Sequence, residues 1–131
     1  DTLRNIRETG EFVVNFVTEA LGEAMNLTAG DFAPGQDEFA MAGLTPAPAD
    51  LVRADRVLES PVSYECRLRE VIVISENALG SSLVLGEVLR FHVADEILTD
   101  FRIDPAKLQA IGRMGGNGYT RTRDRFDMVR P

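Results

Sequence analysis

The sequence predicts a mainly β, antiparallel domain with short flanking helices, and one whose own strands do not complete it. Three observations carry that expectation. Residues 61–74 and 83–98 alternate apolar and polar positions over two long stretches joined by a turn-like segment, which is a hairpin pattern. The helical stretches are short and end at Gly or Pro signals. The strand count reaches about three, too few to close a barrel or complete a sandwich, so further strands are expected from a partner chain or from upstream residues.

Residues 2–9 read as a short helix with Thr2 as N-cap, Asn5 at the capping-box position and Gly10 as the stop. Leu3, Ile6 and Phe12 are expected to face inward. EFVVNFV (11–17) is a strand by its β-branched and aromatic content, and Asn15 within it must find hydrogen bonds if buried. Thr18 is expected to cap an amphipathic helix over 19–27 with Leu21, Ala24, Met25 and Leu27 on one side. Residues 28–36 form a loop, and 37–43 a short helix ended by Gly43. Residues 44–52 are extended, because Pro46 and Pro48 forbid a helix. Residues 53–60 are short and mixed in pattern. In 61–74, Val62, Tyr64, Cys66 and Leu68 share one face, and Ser63, Glu65, Arg67 and Arg69 the other. Residues 75–82 turn. In 83–98, Val84, Gly86, Val88, Arg90 and His92 share a face. Asp104 and Pro105 open a helix over 104–112. Residues 113–131 are a Gly-rich turn and a basic tail.

A length of 131 residues, 44% of them apolar, suits one domain with a core of its own. The net charge is −7, with −8 in residues 1–66 and +1 in 67–131, which argues against a nucleic-acid or anionic-membrane binder. Apolar runs as short as Val71 to Ile74 exclude a membrane-spanning helix. Cys66 is the only cysteine, so no disulfide within the chain and no Cys-rich zinc site is possible, and a cytoplasmic setting is expected. Patterned sequence from the first residues onward leads us to expect that the chain continues a longer protein. Thirteen Arg stand against one Lys, Lys107, as a GC-rich genome would give; Arg also suits phosphate-bearing ligands.

No acid–base or nucleophilic constellation can be read from spacing. His92 is the only histidine, either a half-exposed strand residue with one nitrogen satisfied or a ligand contact. Cys66 falls on an apolar face and is expected to be a buried, inert thiol. GGNGY (115–119) lets backbone N–H groups approach an anion or a flat ring, but it lacks the dinucleotide fingerprint and is also a plain turn. Arg121, Arg123 and Arg125 could grip phosphate, or lie solvated with Asp124 and Asp127 as partners. No calcium loop is present, and no metal is implied.

The ordered segments DTLRNI, EFVVNFV, EAMNLTA, EFAMAGLTP, ESPVSYECRL, LGEVLRFHV and DPAKLQAIGRMGGNGYTRTRDRF resemble the flavin reductase-like family over essentially all of residues 1–131. The similarity is to the downstream two thirds of that domain, so the N-terminal part is expected upstream. The resemblance implies an antiparallel six-stranded FMN-binding split barrel with flanking helices, incomplete without those upstream residues. It implies a homodimer with FMN in a groove at the subunit interface. The implied activity is NAD(P)H-dependent flavin reduction, in some members feeding a monooxygenase partner. It places Thr2 near the flavin phosphate, Asn15 on the cofactor side of the barrel, and His92 on the strand bordering the nicotinamide approach. Gly115, Gly116, Asn117 and Tyr119 resemble a segment near the flavin ring. Glu65 is expected to be structural or interfacial.

Hydride passes from nicotinamide to flavin when the two atoms are held about 3–3.5 Å apart, and this needs no acid or base. No catalytic side chain is therefore assigned. Two alternatives stay open: a non-catalytic FMN- or haem-binding protein on the same barrel, and an interaction module supporting a monooxygenase.

Overall fold

The structure, a computed structural model, describes residues 2–30, 32, 35–77 and 80–131. Residues 31, 33 and 34 of the expected loop and 78 and 79 of the expected turn lie outside the described residues. Helix α1 (Thr2–Thr9) ends at Gly10, whose φ of +71° only glycine adopts freely and whose N–H donates to the Ile6 carbonyl at 2.9 Å. Strand β1 (Glu11–Asn15) follows, two residues shorter than expected. The reason is tertiary. Val17 accepts from the Ile111 N–H, Thr18 bridges Ala110, and the Glu19 N–H donates to Gln109. That pairing takes Thr18 out of capping. Helix α2 (Gly22–Thr28) begins after Leu21, which offers no side-chain cap, so the expected start at residue 19 is corrected.

Helix α3 (Glu38–Ala42) keeps both expected ends: Asp37 accepts from the Phe39 N–H at 3.0 Å, and Gly43 sits at φ +66°. Strands β2 (Pro46–Ala47) and β3 (Arg56–Val57) pair antiparallel. The long hairpin is β4 (Val62–Val73) and β5 (Ser82–Val93), and the sheet order is β1-β4-β5, all antiparallel. Strand β5 stops at Val93 rather than at residue 98, where Asp95–Ile97 make a 3-10 turn. Two short ribbons follow, β6 (Leu98–Thr99) with β7 (Arg102–Ile103), and β8 (Ile111–Arg113) with β9 (Tyr119–Arg121). Between them, α4 (Pro105–Leu108) is capped by Asp104, as expected, but ends four residues early with Gln109 left-handed.

The described residues thus form one three-stranded sheet and three two-stranded ribbons, mainly β and not closed into a barrel. Ser63 and Glu65 share a face, as expected, and both are 0% exposed. One expectation about the hairpin faces is corrected. The face running from Val84 to His92 is interrupted: Cys66 pairs with Val88 but Glu65 with Arg90, so Leu89 is bulged out and Arg90 and His92 switch sides. The buried apolar residues are few, with Ile6, Val52, Val62, Cys66 and Ile97 among them, whereas Ile72, Ile74, Leu83, Leu85 and Phe91 on the hairpin are exposed. No helix among the described residues is long and apolar enough to cross a membrane.

Candidate functional site

Three depressions adjoin one another through shared wall residues. The first, about 270 Å³, has apolar walls from Phe16 beyond β1, Leu21 and Met25 around α2, and Phe39 of α3, with Asn15 at its edge. The second, about 510 Å³, is lined by Thr2 and Asn5 of α1, Phe12 of β1, and Arg53 to Asp55. Glu38 and Phe39 wall both. The third, about 860 Å³, is lined by Asn26 of α2 and by Arg113, Asn117 and Tyr119 of the β8–β9 ribbon. Met25 is common to the first and third.

Thr2, Asn15, Asn117 and Tyr119 therefore fall along one run of space, divided by Phe39 and Met25. Asn15 is already engaged. Its Oδ1 accepts from the Val57 N–H at 3.0 Å and the Ser63 hydroxyl at 2.8 Å, locking β1 to β3 and β4. Gly115 and Gly116 form the tip of the ribbon, where a Cβ would meet nothing. Arg113 donates to the Tyr119 hydroxyl at 2.7 Å and to the Gly116 carbonyl at 2.9 Å, and its guanidinium lies 5.1 Å from the Tyr119 ring centroid. That holds the tip in shape.

His92 is elsewhere. It belongs to a cluster that sequence reasoning missed. Glu65 accepts the N–H groups of Asp50 at 2.9 Å and Leu51 at 2.6 Å, and hydrogen-bonds His92 Nε2. Burial alone would raise its carboxyl pKa, but the Asp50 N–H, His92 and the Leu51 N–H outweigh that and hold it at about 2. The ionised carboxylate can only accept, so the shared proton belongs to His92 Nε2. Arg90 is ion-paired with Asp50 beside it. Asp50, Glu65 and His92 each bring a metal-capable atom within 4.8 Å of the others, yet the two carboxylates already accept from N–H and guanidinium donors, and His92 Nε2 is itself one of those donors. What brings them together is the register, which the bulge at Leu89 hides from alternation: Ser63 faces His92 and Glu65 faces Arg90, so an acid and a histidine meet on one face.

The basic tail is partly spent as well. Arg121 and Arg123 both pair with Glu19, rather than with Asp124 or Asp127. Cys66 is 3% exposed, and burial pushes its thiol pKa up, as an inert thiol requires.

Comparison with known proteins adds to this geometry. Residues 1–108 match the family described as flavin reductase like domain. An uncharacterised protein of Aquifex aeolicus (strain VF5) is 38% identical over 122 residues, covering 92% of this chain and 60% of its own length. Nitrilotriacetate monooxygenase component B from Bacillus cereus superposes with a TM-score of 0.89 at 34% identity, over 98% of this chain and 64% of that one. The 2-nitrobenzoate 2-nitroreductase NbaA of Pseudomonas fluorescens does so with a TM-score of 0.87 at 33% identity, over 100% and 64%. The chain thus spans about three fifths of the length of the curated relatives it matches.

Proposed function

Because this chain belongs to the flavin reductase-like domain family, we propose that it carries part of an FMN site and that the full-length protein is an NAD(P)H-dependent flavin reductase. The observation that carries the proposal is the run of three adjoining depressions. Phe16, Leu21, Met25 and Phe39 offer apolar walls for a planar heterocycle, and the Thr2 hydroxyl and the Asn5 and Asn117 amides offer polar groups at the two ends. Arg53 beside Thr2 is ion-paired with Glu11, so the proposed phosphate end would be met by the uncharged donors of Thr2 and Asn5. In those respects the residues present fit a flavin.

FMN, when bound, supplies the hydride chemistry. The chain's residues bind and orient. Thr2 holds the phosphate end, and Asn15 keeps β1 in place at the edge of the apolar wall. Gly115, Gly116, Asn117 and Tyr119 border the ring, and His92 remains the group proposed for the nicotinamide side. The full-length protein is proposed to close a six-stranded split barrel, to act as a homodimer and to work in the cytoplasm. Similarity to a monooxygenase component favours one further role, passing reduced flavin to a partner monooxygenase.

Titration of the full-length protein with FMN, followed by NADH and NADPH oxidation, tests this reading. Quenching of flavin fluorescence with turnover is expected. A tightly yellow protein without turnover would replace the reductase by an FMN-binding protein, and absence of flavin binding would end both. Thr2→Ala and Asn117→Ala are each expected to weaken FMN binding about threefold to tenfold, the loss of one hydrogen bond.

A further inference from the structure

Residues 48–55 join β2 to β3 with neither helix nor strand of their own. Three of their N–H groups are taken by carboxylates from the main sheet. Glu65 of β4 takes those of Asp50 and Leu51, and Glu11 of β1 takes that of Arg53 at 3.0 Å and its Nε at 3.3 Å. Such charge-assisted bonds are stronger than neutral ones. Glu65 is the deeper anchor: it is 0% exposed, and His92 Nε2 shares the Oε1 that takes the Asp50 N–H.

We infer that Glu65 is a positioning residue, whose buried carboxylate holds residues 50 and 51 and thereby sets the wall that Arg53, Ala54 and Asp55 give to the depression containing Thr2. The last step rests on the proposal that this depression takes flavin. Glu65 touches no open space itself, so it acts only through the segment it holds. The charged and titratable groups around it are His92 on β5, Asp50 on the segment, and Arg90 on β5, which is paired with Asp50; Glu11 and Arg53 form the next anchor along. Protonation would turn one acceptor oxygen into a donor and release an N–H. The carboxyl's folded value of about 2 lies below its ordinary 4.5, so the hold is complete above pH 4.5 and is lost as pH falls toward 2.

Hydrogen exchange and FMN titration of the full-length Glu65→Gln variant test this. Exchange at the Asp50 and Leu51 amides should quicken about tenfold or more, while the Phe16 amide, which donates to the Val62 carbonyl just past the end of β1, should not change. FMN should bind about threefold or more weakly, and the part of the wild-type fall in affinity that sets in as pH approaches 2 should be absent from the variant. Unchanged exchange at residues 50 and 51 would overturn the inference. So would faster exchange with unaltered FMN affinity, since the role would then be structural only. A wild type that binds no FMN sinks the functional reading and the last step with it, whereas exchange still judges the hold on residues 50 and 51. If Glu65→Gln does not fold, the pair His92→Ala and His92→Gln replaces it. Gln keeps a donor for Glu65 and should restore the exchange and affinity that Ala loses; equal behaviour of the two would overturn the inference.

Discussion

Gly86 sits opposite Leu68 in the hairpin, and the ring of Phe12 from β1 occupies the space beside it. A Cβ there would meet Phe12 Cζ at 2.4 Å and the Cys66 Cβ at 3.4 Å. Only glycine lets β1's aromatic reach across β4 to β5. Gly86→Ala should therefore destabilise by about 1–3 kcal/mol, the range for overpacking. Urea denaturation would show it, and Phe12→Leu in the same chain should recover part of the loss, because residues in contact couple. The sequence shows a glycine in a strand but not which ring approaches it, since that ring comes from 74 positions earlier. Glu65 is hidden for a related reason. Alternation correctly puts Ser63 and Glu65 on one face, but it cannot say that residues 50–52 cover that face there, while Arg67 and Arg69 further along the same strand remain exposed. Thr2, Asn117 and Tyr119 came from ordered resemblance, not from any spacing that chemistry demands.

At the level of elements, what is local is legible. Asp37 with Gly43 and Asp104 with Pro105 mark α3 and the start of α4, because a cap is settled within a turn of chain. The start of α2 is not legible, since residues 17–19 are drawn into pairing with 109–111. The β6–β7 ribbon shows another override. Its turn is Asp100–Phe101, with φ of +49° and +61°, a left-handed pair that Asn-Gly would favour. Phe101 is 100% exposed, so its side chain repays none of the strain by packing. Phe101→Gly should raise stability by about 1 kcal/mol, the cost of one left-handed non-glycine residue. A thermal melt checks it. A lower melting temperature would mean that the aromatic is held by contacts this geometry does not include.

At the scale of the whole sheet, the strand order among the described residues leaves β5 at an edge, with its outer N–H and C=O groups unpaired in that sheet. Along that strand Leu83 is 49% exposed, Leu85 40% and Phe91 62%. A long apolar edge is a template for further pairing, and isolated edges of this kind aggregate. The homodimer proposed for the full-length protein would cover it. Leu85→Glu would set a charge within such an interface, where an unpaired charge costs several kcal/mol. The expected result is a shift from dimer to monomer in sedimentation velocity, with the Thr18–Ala110 bridge and the small β8–β9 ribbon unperturbed in hydrogen exchange. Phe91→Glu should do the same while also removing the edge-to-face contact with Tyr64, whose ring centroid lies 4.6 Å away, so it should dissociate the dimer and lower the melting temperature together. A dimer that survives both substitutions while the chain loses stability would assign the β5 edge to strands of the same polypeptide, and the copy-to-copy contact would then have to lie on another face.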